Sequence, residues 1–247
     1  MELRNTFDTV ADLYERARPG YPDELVDELV ASIDGGRVLE VGSGTGKLTR
    51  SLVARNLDVT CIEPGANLAF VSRRVLPDTR VVEERFEEWV PDGRYDAVCC
   101  AAAWHWLDPE IAPRRAHEAL KPGGILAVMN GHHVFPDDAD PFFVEIQRTY
   151  DAIGHGVDEL PGPDDIRHDD AVRLRATGLF DVEDRAWLRV VEYDASSYID
   201  LLRTFSGHIV MTPEEQETIF AAVRRLAGDR VIRKHHLFCL HLATRVG

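Results

Sequence analysis

Five short apolar runs, at residues 37–41, 58–62, 79–83, 95–100 and 124–130, recur along the chain, each built from Val, Ile, Leu, Ala or Cys. Runs this short, without polar alternation, suit strands buried on both faces. The segments between them carry helical apolar spacing and are long enough to cross from one parallel strand to the next. The spacing therefore predicts an α/β chain built on a doubly wound, mostly parallel sheet. Past Met129 the pattern changes. Residues 137–140 between Pro136 and Pro141 form a turn cluster, residues 142–153 read as a helix, and residues 154–170 read as a polar loop around Pro161-Gly162-Pro163. A helix near residues 169–177 stops at Gly178, and residues 181–193 alternate charged and apolar side chains as a strand does. Thr212, Pro213 and Glu215 stand at the N-cap, first and third positions of a further helix, and a last strand is expected within residues 231–246.

The chemistry-bearing stretch is Val38-Leu39-Glu40-Val41-Gly42-Ser43-Gly44-Thr45-Gly46-Lys47, followed by Glu63 at the end of the second run. Glycines at 42, 44 and 46 let a strand turn sharply into a helix and let the backbone approach a ligand closely. The spacing G-x-G-x-G differs from the dinucleotide fingerprint G-x-G-x-x-G, and Glu40 would repel a pyrophosphate. A P-loop is excluded, since Val41 and Leu48 stand where that motif needs Gly and Ser or Thr. What remains is a nucleoside-like ligand that tolerates, or welcomes, nearby carboxylates.

Glu40-Val41-Gly42-Ser43-Gly44-Thr45-Gly46 resembles the first motif of the class I S-adenosylmethionine-dependent methyltransferases. Tyr95–Trp106, with its Trp104-His105-Trp106, resembles the fourth strand and following loop of small-molecule members related to trans-aconitate methyltransferase. Leu120-Lys121-Pro122-Gly123-Gly124 is similar to that family's turn before strand five, and Phe7–Pro22 to the subfamily's lead-in. The resemblance implies a Rossmann-like, seven-stranded fold with a small helical cap. Lid helices would occupy residues 1–30, the cofactor-binding core residues 31–130, 171–193 and 231–247, and the cap residues 131–170 and 194–230. The hairpin of strands six and seven would be interrupted by an insertion.

The same resemblance implies S-adenosylmethionine as cofactor, bound by Tyr14, Arg18, Glu40, Gly42, Ser43, Gly44, Thr45, Glu63, Pro64, Arg85, Phe86 and Ala101. Glu63 would accept hydrogen bonds from both ribose hydroxyls, Phe86 would cover the adenine, and Arg18 would pair with the cofactor carboxylate. Trp104, His105, His132 and His133 would face the acceptor, with His105 as base or orienting group for an oxygen acceptor, a hydroxyl or a carboxylate. The aromatic and polar residues Phe142, Phe143, Tyr150, Tyr198, Phe205 and His208 suggest the character of the acceptor pocket. Two other readings stay open: the same fold turned to non-methylating natural-product chemistry, and a nonenzymatic sensor of the cofactor.

Composition narrows the partners. Forty-three acidic against 28 basic residues give a formal net charge of −15, which opposes nucleic acid and anionic membrane surfaces and leaves a small-molecule substrate. The expected protein is cytoplasmic, monomeric or homodimeric, with no signal region in Met1–Asn5 and no membrane span. Cys61, Cys99, Cys100 and Cys239 lie in strand-like runs and read as core residues. His132-His133 lacks a third ligand at short spacing, so no metal is expected.

Overall fold

The computed structural model describes residues 3–157 and 159–247; Met1 and Glu2 of the expected lid and Asp158 of the expected polar loop lie outside the described residues. Two helices precede the first strand, α1 (Ala11–Ala17) and α2 (Asp23–Ala31). Strands β1 (Arg37–Val41), β2 (Asp58–Ile62), β3 (Arg80–Val82), β4 (Tyr95–Ala101) and β5 (Leu120–His133) follow, separated by α3 (Lys47–Val53), α4 (Ala66–Val75) and α5 (Ala112–Ala119). After α6 (Phe142–Ala152) and α7 (Asp169–Ala176) come β6 (Phe180–Tyr193), α8 (Ala195–Leu202), α9 (Ser206–Ile209), α10 (Pro213–Ala227) and β7 (Ile232–Arg245). Seven strands form one sheet in the order β3-β2-β1-β4-β5-β7-β6, and the pairs from β3 through β5 are parallel.

The first two strands fall where the apolar runs placed them. β5 starts earlier than expected, because Leu120 already pairs with Tyr95 while Ile125 pairs with Ala97. Five positions on β5 therefore oppose two on β4, and the Lys121-Pro122-Gly123-Gly124 turn is an outward bulge inside the strand, with Gly123 at φ 74°.

The chain divides into two compact units. The sheet unit holds residues 20–131, 167–187 and 238–247. Its strands bury alternate side chains into two clusters: Leu39, Val98, Cys100, Leu126 and Val128 pack with α5 and α7, while Val38, Ala97, Cys99, Ala127 and Met129 pack with α2 and α3. Both faces are apolar, which is why the runs showed no polar alternation. Asp96 ties the start of β1 to β4, accepting from the amides of Gly36 and Arg37 and from Lys121 Nζ at 2.6 Å.

The helical unit holds, of the described residues, 3–19, 132–157, 159–166 and 188–237. Residues 20–30, expected within the lid, fall in the sheet unit because Leu25, Val26 and Leu29 of α2 are buried in its core. In the helical unit Phe142, Phe143 and Ile146 of α6 pack with Tyr198, Ile199 and Leu202 of α8 and Ile219, Phe220 and Val223 of α10. The start of α10 is a capping box, Thr212 Oγ1 accepting from the Glu215 amide and Glu215 Oε2 from the Thr212 amide. Among the described residues, no helix is long and apolar enough to cross a membrane.

Candidate functional site

The glycine turn leaves β1 with Gly42, Gly44 and Gly46 all in the left-handed region, at φ 66°, 58° and 87°. At Gly42 the requirement is double, since a Cβ there would also lie 2.6 Å from Ala103 Cβ in the loop after β4. The turn is held by the Gly42 and Ser43 amides, which both donate to the Ile62 carbonyl at the end of β2. Ser43 and Thr45 are buried, and the Thr45 hydroxyl has no hydrogen-bond partner.

Two carboxylates flank the turn in different states. Glu63 is buried, with Oε2 accepting from the Gly44 amide and Oε1 from the Gly65 amide, each at 2.8 Å. Two amide donors fix both oxygens of the group at the end of β2. Pro64, beside it, is exposed. Glu40 is 1% exposed and accepts from Thr49 Oγ1 of α3 at 2.6 Å. Burial pushes its pKa from 4.5 up to about 8; the Thr49 hydrogen bond opposes that rise and the Glu63 charge adds to it. Glu40 is thus a neutral acid at pH 7. Burial likewise drives up the thiols of Cys61, to about 12, and of Cys99, and all four cysteines are buried and unpaired with one another.

The loop after β4 lies against this turn through Ala103. Ala101 ends the strand, and Ala102 has φ 55°, a left-handed conformation unusual for a residue with a Cβ; its amide donates to the Met129 carbonyl. Trp104 turns into the core, whereas His105 is exposed. The His105 ring lies 4.6 Å from that of Trp106. Partial desolvation holds its pKa below the ordinary histidine value, and the Asp170 carboxylate opposes the shift. The imidazole is therefore neutral at pH 7 and able to accept a proton. Phe86 is 2% exposed and stacks on Trp89 at 6.4 Å, while Arg85 lies 3.7 Å from the carboxylates of Glu87 and Glu88. One face of the Phe86 ring is already taken by Trp89.

The remaining expected residues belong to the helical unit. Arg18 donates through Nε to Thr204 Oγ1 at 2.8 Å and through Nη2 to the Thr204 carbonyl at 3.1 Å, with its guanidinium over Phe205 and Tyr14. His132 and His133 end β5, and His133 packs against Phe135 and Phe143. Tyr150 Oη and His208 Nε2 are 2.8 Å apart, while Phe142, Phe143 and Tyr198, expected in a pocket, are buried core residues.

Residues 39–128 match the methyltransferase domain family. A candidate type II methyltransferase of Anaeromyxobacter dehalogenans shares the fold with a TM-score of 0.64 over 92% of this chain and 97% of its own, at 21% identity. The chain carries a methyltransferase domain and adopts a methyltransferase fold. An uncharacterised methyltransferase of Mycobacterium tuberculosis is 42% identical over 130 residues, which is 52% of this chain and 53% of the relative, so the match spans about half of each. A phosphoethanolamine N-methyltransferase of Haemonchus contortus, solved with phosphomonomethylethanolamine and S-adenosylhomocysteine, shares the fold at 16% identity with a TM-score of 0.57, over 100% of this chain and 61% of its own.

Two features of the site carry no signal in the sequence. The strained Ala102 sits in an Ala-Ala-Ala run, which carries no turn signal. Asp170, which acts on His105 and accepts from Asn130 Nδ2 at 2.8 Å, lies 65 positions after that histidine, in a stretch that reads as a helix start.

Proposed function

We propose that this methyltransferase transfers a methyl group from S-adenosylmethionine to an oxygen of a small-molecule acceptor. The observation that carries the reading is Glu63. Its two oxygens are each fixed by an amide beside a turn of left-handed glycines, and a carboxylate so oriented presents two acceptors, the number that a pair of ribose hydroxyls requires. The buried Thr45 hydroxyl has a donor to spare, Gly42 keeps the approach to the turn clear of a Cβ, and Glu40 is an acid that a nearby cation would ionise. These residues fit a phosphate-free, cationic nucleoside.

Bound there, S-adenosylmethionine supplies an electrophilic methyl group on a sulfonium. The protein's own work is then alignment and exclusion of water. A ring nitrogen of neutral His105 accepts the proton of an acceptor hydroxyl; an acceptor carboxylate, already ionised, needs only positioning. We assign Gly42, Ser43, Gly44, Pro64, Arg85, Phe86, Ala101, Tyr14 and Arg18 to cofactor binding, and Trp104, His132 and His133 to the acceptor. Acceptor choice we assign to residues 131–170 and 194–230.

The test is product analysis. Incubating the protein with methyl-labelled S-adenosylmethionine and a metabolite pool should yield S-adenosylhomocysteine in step with one labelled product. Cofactor turnover without a labelled product would overturn methyl transfer.

A further inference from the structure

The helical unit contains buried polar groups that the protein itself leaves unsatisfied. Lys234 of β7 is 2% exposed, and its Nζ lies 5.4 Å from the centroid of the Phe143 ring. No carboxylate of the described residues pairs with it. His133 shares the Phe143 ring, at 4.5 Å, and lies 4.2 Å from Phe135 and 6.3 Å from His236. Tyr193, at the end of β6, joins the group through Tyr198, which is 5.8 Å from Tyr193 and 6.0 Å from Phe143. His133 Nε2 and Tyr193 Oη are both buried without a hydrogen-bond partner.

This arrangement is costly as it stands. An unsatisfied buried polar group costs about 1–3 kcal/mol, and a lone buried ammonium more. Burial lowers the pKa of Lys234, and the Arg18 charge lowers it further; Lys234 in turn depresses His133 and His236. Each of the buried groups Lys234, His133 and Tyr193 is relieved by an acceptor that carries negative charge. The ammonium only donates, the phenol donates, and an imidazole protonated at Nε2 donates, so the set matches a carboxylate, which only accepts. A metal ion does not fit: an ammonium is no ligand, and no group of three His, Cys, Asp or Glu able to hold one occurs among the described residues.

We propose that Lys234, His133 and Tyr193 form an anion subsite that takes the carboxylate of a small molecule. The proposal rests on the methyl-transfer reading only in naming that molecule as the acceptor; the binding itself is independent of it.

Calorimetric titration of the full chain, without cofactor, with benzoate and its neutral isostere benzamide tests the subsite. Benzoate should bind at least about tenfold tighter. Lys234→Met keeps the length of the side chain and removes its charge, and should bring the two ligands within about twofold of each other without lowering the melting temperature. Tyr193→Phe, which removes one hydroxyl, should weaken benzoate about fivefold and leave benzamide unchanged, and it serves should Lys234→Met fail to fold. Benzoate binding no tighter than benzamide, no benzoate binding at millimolar concentration, or an undiminished preference in Lys234→Met would overturn the proposal. Tight phenyl phosphate binding with none of benzoate would overturn the carboxylate assignment. Failure of S-adenosylmethionine to bind while the benzoate preference persists would sink the methyl-transfer reading and leave the subsite standing.

Discussion

The sheet unit buries the acids Glu40, Glu63, Asp96 and Asp170 and one base, His241, held by Asp184, whereas the helical unit buries the bases Lys234, His235 and His236, with His133 beside them. The acids are satisfied by the protein itself: Glu40 by Thr49, Glu63 by the Gly44 and Gly65 amides, Asp96 by the Gly36 and Arg37 amides and Lys121, Asp170 by Asn130. Lys234 and the nearby His133 Nε2 and Tyr193 Oη are not. Buried ionisable groups of one kind prepare a region for a ligand of the opposite charge. On the proposals above, the cationic cofactor lies beside the acids and the anionic group beside the bases.

Acid and base burial should give opposite responses to pH, the largest effect expected. Glu40 has a folded pKa raised from 4.5 to about 8, so between these values the folded chain keeps a proton that the unfolded chain releases. Stability therefore falls as pH rises through that window, by on the order of 4 kcal/mol in all. His133 and His236 are depressed from 6.5 to about 2 and about 3, first by desolvation and then by Lys234. Their contribution is complete above pH 6.5 and is lost as pH falls toward 3. Urea unfolding across pH 3–9 should show both flanks. Glu40→Gln should flatten the alkaline side alone, and an unchanged alkaline slope would break the account of Glu40.

Next in size is Glu63→Ala, which should weaken S-adenosylmethionine by about a hundredfold or more, two hydrogen bonds to a charged acceptor being lost. Lys234→Met should leave that affinity within about threefold, and equal losses in the two variants would erase the distinction between the units. His105→Ala should then slow turnover of a hydroxyl acceptor about a hundredfold with little change in cofactor affinity; a fall of less than about threefold in steady-state kinetics would reduce His105 to a positioning residue. The smallest effect belongs to Thr212→Ala, which removes the N-cap of α10 and should cost about 1 kcal/mol, read as a few degrees in melting temperature.

The same contrast explains what could be read from the sequence. β1, the glycine turn and the acid ending β2 are contiguous or separated by one crossover, so apolar run, turn chemistry and charge appear together in order. The α10 capping box is local in the same way. The helical unit's polar group is assembled from positions 133, 193 and 234, which no window joins. β5 was read short because its Pro-Gly-Gly bulge carries turn residues inside a paired strand. The aromatic residues of α6 and α8 were read as pocket lining because periodicity reports that a face is apolar, and not whether a ligand or another helix covers it.

The most direct test of the central claim is calorimetric titration of the purified protein with S-adenosylmethionine and, separately, NAD. The account predicts saturable S-adenosylmethionine binding that Glu63→Ala weakens by about a hundredfold or more, with no NAD binding; tight NAD binding without S-adenosylmethionine binding would contradict it.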